Sequence, residues 1–162
     1  MEARVAVYTG SFDPITLGHL NVIERGRRLV DRLIIGIGIN VEKEELFNPD
    51  ERLQLVTRVT DKWDNVEVRV FRGLAVEFVR ECGARVMLRG VRPLTDIAAE
   101  FTMLMANRQL DEDVETVFLM ADEDFAHISS SLIKQIAVMS DDKMLARFIP
   151  EEIIPEVRQK LN

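Results

Sequence analysis

Short apolar runs alternate along the chain with stretches whose apolar residues recur at helical spacing. Arg4 to Tyr8 reads as a strand, and Gly18 to Val30 as a helix with Leu20, Ile23 and Val30 on one face. Arg32 to Ile39 is an Ile-rich run suited to a strand buried on both sides. Asn48-Pro49-Asp50-Glu51 is a helix start, with a cap, a proline in the first turn and acids facing the dipole; Leu55, Val56, Val59 and Trp63 continue it. Val66 to Phe71 gives a third strand, and Ala75, Phe78, Val79 and Cys82 line a helix face that Gly83 stops. Arg85 to Leu88, a helix from Leu94 to Gln109, Thr116 to Met120, and a helix from Ser130 to Met139 follow, and Pro150 opens a terminal helix. The pattern predicts an α/β fold: an open five-stranded parallel sheet with helices on both faces, plus C-terminal helices, as one domain over residues 1–162.

Composition narrows the class. The chain has 162 residues, 47% of them hydrophobic and 30% charged. At this length a fold buries about 70% of the unfolded surface and needs no covalent or metal staple. The one cysteine, Cys82, excludes an intrachain disulfide and a four-cysteine zinc site and is read as core packing. No apolar run nears the roughly 20 residues of a membrane helix, and the opening Met1-Glu2-Ala3-Arg4 leads into a strand instead of a signal peptide. A cytoplasmic protein without membrane contact is expected. Residues 1–110 carry 16 acidic and 16 basic side chains, and residues 111–162 carry 12 and 5, so the net charge of −7 lies entirely in the last third. With no basic stripe, nucleic-acid binding is not expected. A phosphate ligand would have to be held by a few placed groups.

Ligands of open parallel sheets bind outside the carboxyl ends of the strands, so the residues after each strand are the candidates. After the first strand stands Thr9-Gly10-Ser11-Phe12-Asp13-Pro14, leading to a helix whose first turn holds Thr16, Gly18 and His19. Backbone N–H groups there favour an anion, Gly18 admits a close approach, and His19 would aim an N–H donor at the same place. Lys43 follows the second strand among three glutamates. Arg89-Gly90-Val91-Arg92-Pro93 follows the fourth, with two arginines able to grip a phosphate from two sides. Asp96 and Glu100 share a helix face beside them, placed to accept from ribose hydroxyls or to orient an arginine. After the fifth strand an acidic loop leads to His127-Ile128-Ser129-Ser130-Ser131, whose hydroxyls and free N–H groups offer a second anion site. Singly, these are common turn formers, solvated charges and helix caps. Their coincidence at one sheet edge points to phosphate chemistry. His19 and His127, with no carboxylate at ligand spacing, do not make a zinc site.

Together these segments resemble the nucleotidyltransferase superfamily, marked by a Thr/His-x-Gly-His helix start that stands here as Thr16-Leu17-Gly18-His19. Within it the chain is similar to the bacterial phosphopantetheine adenylyltransferase family, through Tyr8 to Pro14, Arg89-Gly90-Val91-Arg92, Asn107-Arg108 and Ile128-Ser129-Ser130-Ser131. The resemblance implies a Rossmann-like sheet and transfer of AMP from ATP to 4′-phosphopantetheine, giving dephospho-coenzyme A and pyrophosphate. His19, as transition-state stabiliser, and Lys43 would be the catalytic residues. Ser11, Phe12, His19, Gly90, Val91, Arg92, Glu100, Phe125, Ala126, His127, Ile128, Ser129, Ser130 and Ser131 would bind ATP. Ser11, Lys43, Ala75 and Arg89 would bind the acceptor substrate, Ala75 within a loop, Gly73-Leu74-Ala75, that takes the pantetheine arm. Mg²⁺ would ride on the ATP phosphates with no protein ligand. A homohexamer and possible feedback by coenzyme A are also implied. The chain departs from the family pattern at Glu44, where a second lysine is common, at Ile97-Ala98-Ala99 in place of an aromatic-acidic segment, and at Phe125-Ala126-His127 in place of aromatic-serine-aromatic. The last two bear on adenine-side packing and effector binding and leave the phosphate chemistry in place. A sister transferase acting on nicotinate mononucleotide or glycerol phosphate would share the first motif but lack the Arg-Gly-Val-Arg and Ile-Ser-Ser-Ser pair. A silent nucleotide sensor would have no need of His19 and Lys43.

Overall fold

The computed structural model describes residues 1–92 and 96–161. Five parallel strands, β1 (Val5–Gly10), β2 (Arg32–Gly38), β3 (Val66–Phe71), β4 (Val86–Val91) and β5 (Glu115–Met120), form one sheet in the order β3-β2-β1-β4-β5. The helices are α1 (Leu17–Gly26), α2 (Pro49–Thr60), α3 (Ala75–Glu81), α4 (Ile97–Leu110), α5 (Ser130–Ile136), α6 (Asp142–Leu145) and α7 (Ile154–Leu161), with single 3-10 turns at Glu123–Phe125 and Glu151–Ile153. This is the expected parallel α/β sheet.

Alternation along the central strands divides the core in two. Ala6 and Tyr8 of β1, Leu33, Ile35 and Ile37 of β2, and Leu88 of β4 point to one face, where residues of α1, α2, α5 and α7 cover them. Val7, Ile34 and Met87 point to the other face, onto Val76, Phe78, Val79 and Cys82. Cys82 is packing, and Gly83 ends α3 in the left-handed region at φ +68°.

Several boundaries differ from the expectation. β1 runs on through Thr9 and Gly10, and β4 through Arg89, Gly90 and Val91, so these residues belong to the strand ends and not to loops after them. The first helix stops at Gly26 instead of Val30, and α5 stops at Ile136 instead of Met139. A separate short helix, α6, follows. Pro93 and Leu94, expected in the arginine motif and at the start of α4, lie outside the described residues.

Successive connections wind outward from β1, to β2 and β3 on one side and to β4 and β5 on the other. The sheet therefore has its topological switch point between β1 and β4, where the carboxyl ends open a crevice.

Candidate active site

A cavity of about 340 Å³ occupies that crevice. Ser11, Phe12, His19, Lys43, Arg89, Gly90, Val91, Arg92, Glu100, Phe125, Ile128, Ser129, Ser130 and Ser131 all line it. Residues spread over 120 positions of sequence thus meet in one place. Ala126 and His127 do not line it; His127 is exposed and meets Phe148 edge-on at 6.0 Å. Ala75, at the start of α3, also lies outside it and packs on the second core.

Thr16 caps α1 reciprocally with His19. The Thr16 hydroxyl accepts from the His19 N–H at 3.3 Å, and His19 Nδ1 accepts from the Thr16 N–H at 3.0 Å. With Nδ1 an acceptor, the proton of the neutral ring sits on Nε2. Burial, followed by the charges of Arg89 and Arg92, pulls the His19 pKa down to about 4. His19 is therefore neutral near pH 7, a hydrogen-bond donor and not a cation. Its ring packs on Phe12 at 4.9 Å, and Phe12 meets Tyr8 edge-on at 5.3 Å. Phe12 is buried at φ +49°, a strained value for a bulky residue that this packing holds in place.

Two of the glycines that line the cavity are constrained differently by packing. A Cβ on Gly90 would lie 2.9 Å from the Tyr8 hydroxyl, so packing alone demands glycine there. A Cβ on Gly18 would meet nothing nearer than the Phe125 carbonyl oxygen at 3.4 Å, an ordinary contact. Packing admits alanine at 18, and the space left by its absence opens on the cavity.

The arginines are committed to partners on their own chain. Arg89 forks onto Glu100, with Nε to Oε2 at 3.0 Å and Nη2 to Oε1 at 2.5 Å, and its Nη1 donates to the Thr9 carbonyl at 2.5 Å and the Thr9 hydroxyl at 3.2 Å. Arg92 forks onto Asp96 at 2.9 and 2.8 Å. Burial works against the charge of Arg89, but the hydrogen bonds and charge of Glu100 outweigh it and raise its pKa; the Asp96 bonds raise that of Arg92. Of the two roles open to the α4 carboxylates, orienting the arginines is the one the geometry displays. Each pair is close to neutral as a unit, so the arginines present directed N–H groups more than net charge.

The serine run divides its work. Ser129 caps α5, accepting from the Leu132 N–H at 3.1 Å, and Ser130 donates to the Pro14 carbonyl at 3.0 Å, joining α5 to the first loop. Ser131 is exposed on the cavity wall with no bonded side-chain partner among the described residues.

Sequence reasoning passed over Tyr8, which lines the cavity and whose phenol burial pushes well above its usual pKa. It also passed over Arg52, and took Asp13 only as part of the first motif. Both line a second cavity of about 300 Å³ that shares Ser11, Lys43, Ser130 and Ser131 with the first. Arg52 could have been noticed as the one charge on the apolar stripe of α2.

Comparison with known proteins gives the family. A family described as cytidylyltransferase-like matches residues 7–136. A phosphopantetheine adenylyltransferase of Rhodopirellula baltica is 65% identical over 99% of this chain and 90% of its own. The chain belongs to the phosphopantetheine adenylyltransferase family. Another member, from Clostridium botulinum, is 43% identical over 98% of this chain and 96% of its own. The Plasmodium falciparum nicotinic acid mononucleotide adenylyltransferase superposes with a TM-score of 0.61 at 13% identity, covering 99% of this chain and 95% of that one, a likeness of fold.

Proposed function

We propose that this member of the family transfers the adenylyl group of ATP to 4′-phosphopantetheine, forming dephospho-coenzyme A and releasing pyrophosphate. The observation that carries the reading is 65% identity over 99% of the chain to a relative of that name, and the cavity chemistry agrees with it. The phosphate of phosphopantetheine attacks the α-phosphorus of ATP, and the bond from that phosphorus to the pyrophosphate oxygen breaks. The nucleophile is already an anion, so no general base is needed. His19, neutral with Nδ1 occupied, suits donation from Nε2 to an oxygen of the reacting phosphoryl group. Lys43 supplies a mobile point charge for the acceptor phosphate, and Arg89, aligned by Glu100, a directed N–H. Arg92, Gly18 and the Ser129–Ser131 segment border the space for the triphosphate.

The cavity carboxylates Asp96 and Glu100 are engaged by arginines, a donor set that fits Mg²⁺ carried on the ATP phosphates and not on the protein. There it would offset phosphate charge.

Self-association accords with α4, where Ile97, Phe101, Met103, Met105 and Leu110 are each more than half exposed. A hexamer, as the resemblance implies, would cover them. No helix among the described residues is long and apolar enough to cross a membrane, and we place the enzyme in the cytoplasm. Feedback by coenzyme A would act through the phosphopantetheine part of the site, which product and substrate share.

Pyrophosphate release tests the reading, with ATP plus phosphopantetheine, ATP plus nicotinate mononucleotide, and CTP plus glycerol phosphate compared at equal concentrations. Turnover is expected with the first pair alone. Equal or faster turnover with either other pair would overturn it.

A further inference from the structure

Arg52 is 1% exposed, the largest fully buried side chain among the described residues. It sits on the face of α2 that also carries Leu55, Val56 and Val59 into the core. A buried ion pair there is poor value for stability, since a well-packed apolar side chain of similar volume is often as stable or more so. What the guanidinium does is join three segments. Its Nη1 donates to the carbonyl of Ser11, past the end of β1, at 2.9 Å, and to that of Gly38, at the end of β2, at 3.3 Å. Its Nη2 donates to Oε1 of Glu45 at 2.7 Å.

Asp13 clasps the same region from the other side. Its buried carboxylate accepts from the backbone N–H of Leu46 at 2.7 Å and of Phe47 at 2.8 Å, with Lys134 at 3.5 Å. Upstream, the Ile39 N–H donates to the Phe71 carbonyl. Lys43 lies between these anchors, exposed, its backbone N–H turned back to Asn40 at 3.3 Å. Where its side chain can reach is therefore set by how Glu45 to Phe47 are held.

We propose that Arg52 is a positioning residue for adenylyl transfer, fixing through the Ser11 carbonyl and Glu45 where Ser11 and Lys43 meet the phosphate of the acceptor substrate. The inference rests on the reaction proposed above. His19 stands on α1, Arg89 on β4 and Arg92 just past its end, and none of the hydrogen bonds of Arg52 reaches these segments. Its loss should consequently separate the two substrates.

The test uses the full chain with Arg52→Met, which keeps the volume, and Glu45→Ala, which removes a partly exposed partner and leaves Arg52 on its two carbonyls. Arg52→Met should raise KM for phosphopantetheine about tenfold or more and KM for ATP by a clearly smaller factor, because Lys43 serves the acceptor alone whereas Ser11 borders both substrates. Glu45→Ala, assayed below its melting transition, which the unpaired buried guanidinium should lower, should raise the same KM about three- to tenfold, and adding it to Arg52→Met should cost little more, since the two act as one unit. An unchanged KM for phosphopantetheine in Glu45→Ala, or equal shifts for both substrates in either variant, overturns the proposal. Glu45→Ala decides alone should Arg52→Met not fold. If the parent itself gives no turnover, the reaction is misread, and the rate of acetylation of Lys43 by acetic anhydride, mapped by mass spectrometry, still reads the clamp. That rate should change in Glu45→Ala, and an unchanged rate overturns the proposal.

Discussion

Replacing Arg89 by lysine keeps the charge and removes the fork. The guanidinium makes four bonds from three nitrogens, two to Glu100 and two to Thr9. An ammonium group is a single point, and from the same Cα it can keep Glu100 or the Thr9 carbonyl, not both sides of the fork. At least one charge-assisted bond is lost, each contributing about 1.5–3 kcal/mol. Should that loss be felt in the transition state, kcat/KM falls roughly 10- to 150-fold. Glu100 keeps a cation beside it, so the stability cost is smaller, about 1–2 kcal/mol, or roughly 2–8 °C in melting temperature for a chain of this length. Steady-state kinetics with each substrate varied in turn, beside thermal melts, measure both. Glu100→Gln and the double variant complete a cycle: since Glu100 works through Arg89, the double variant should lose much less than the sum of the single losses. Additive losses, or kinetics of Arg89→Lys equal to the parent, would refute the view that the carboxylate aligns the arginine.

His19→Ala should lower turnover by at least about 10²-fold, the scale of removing one preorganised donor, while ATP still binds by calorimetry. Because folding lowers the His19 pKa to about 4 from an ordinary 6.5, the unfolded chain binds a proton that the folded one refuses between those values, and stability should fall as pH drops through this window. The loss is bounded at about 3 kcal/mol, and denaturant melts of parent and His19→Gln from pH 7 to 4 should show a shallower decline in the variant. Of the serines, Ser129→Ala should cost about 1 kcal/mol of stability as a lost cap, Ser130→Ala should lower the melting temperature through its bond to Pro14, and Ser131→Ala should weaken ATP binding while leaving the melt unchanged.

The sheet was legible because its central strands are buried on both faces and read as unbroken apolar runs, and β3 was bounded correctly at Val66 and Phe71. The strand ends were not. β4 carries Arg89 and Gly90 within it, β1 carries Thr9 and Gly10, and these polar or small residues break the apolar signal where the strands reach the cavity. The residues that obscure the ends of the elements are the ones that line the site. α6 has four residues, too few for a period to show. The motif strings identified the cavity edge, since each stands just beyond or at the end of a strand. The commitments within it stayed hidden. Whether Arg89 faces open space or Glu100, and whether Ser130 faces a ligand or Pro14, depends on contacts between segments 11 and 116 positions apart. Arg52, and the clasp made by Asp13, escaped for the same reason, because most of their partners are backbone groups of distant loops, which carry no side-chain signature.

The charge arrangement bears on how a protein of net charge −7 would serve two polyanionic substrates. Arg89 and Arg92 are each matched by a carboxylate, and His19 is held neutral by burial and by those arginines. Lys43 is left as the cation on the cavity wall with no bonded side-chain partner among the described residues. A wall of unmatched cations would attract ATP, phosphopantetheine, pyrophosphate and dephospho-coenzyme A alike, and such uniform binding lowers KM without raising kcat. Fixed N–H groups act differently. They are oriented before the substrates arrive and favour the geometry in which charge gathers on the reacting phosphoryl oxygens. The α4 carboxylates therefore do two things in the proposed reaction: they hold the arginine forks in line, and they remove the excess attraction that would slow product release.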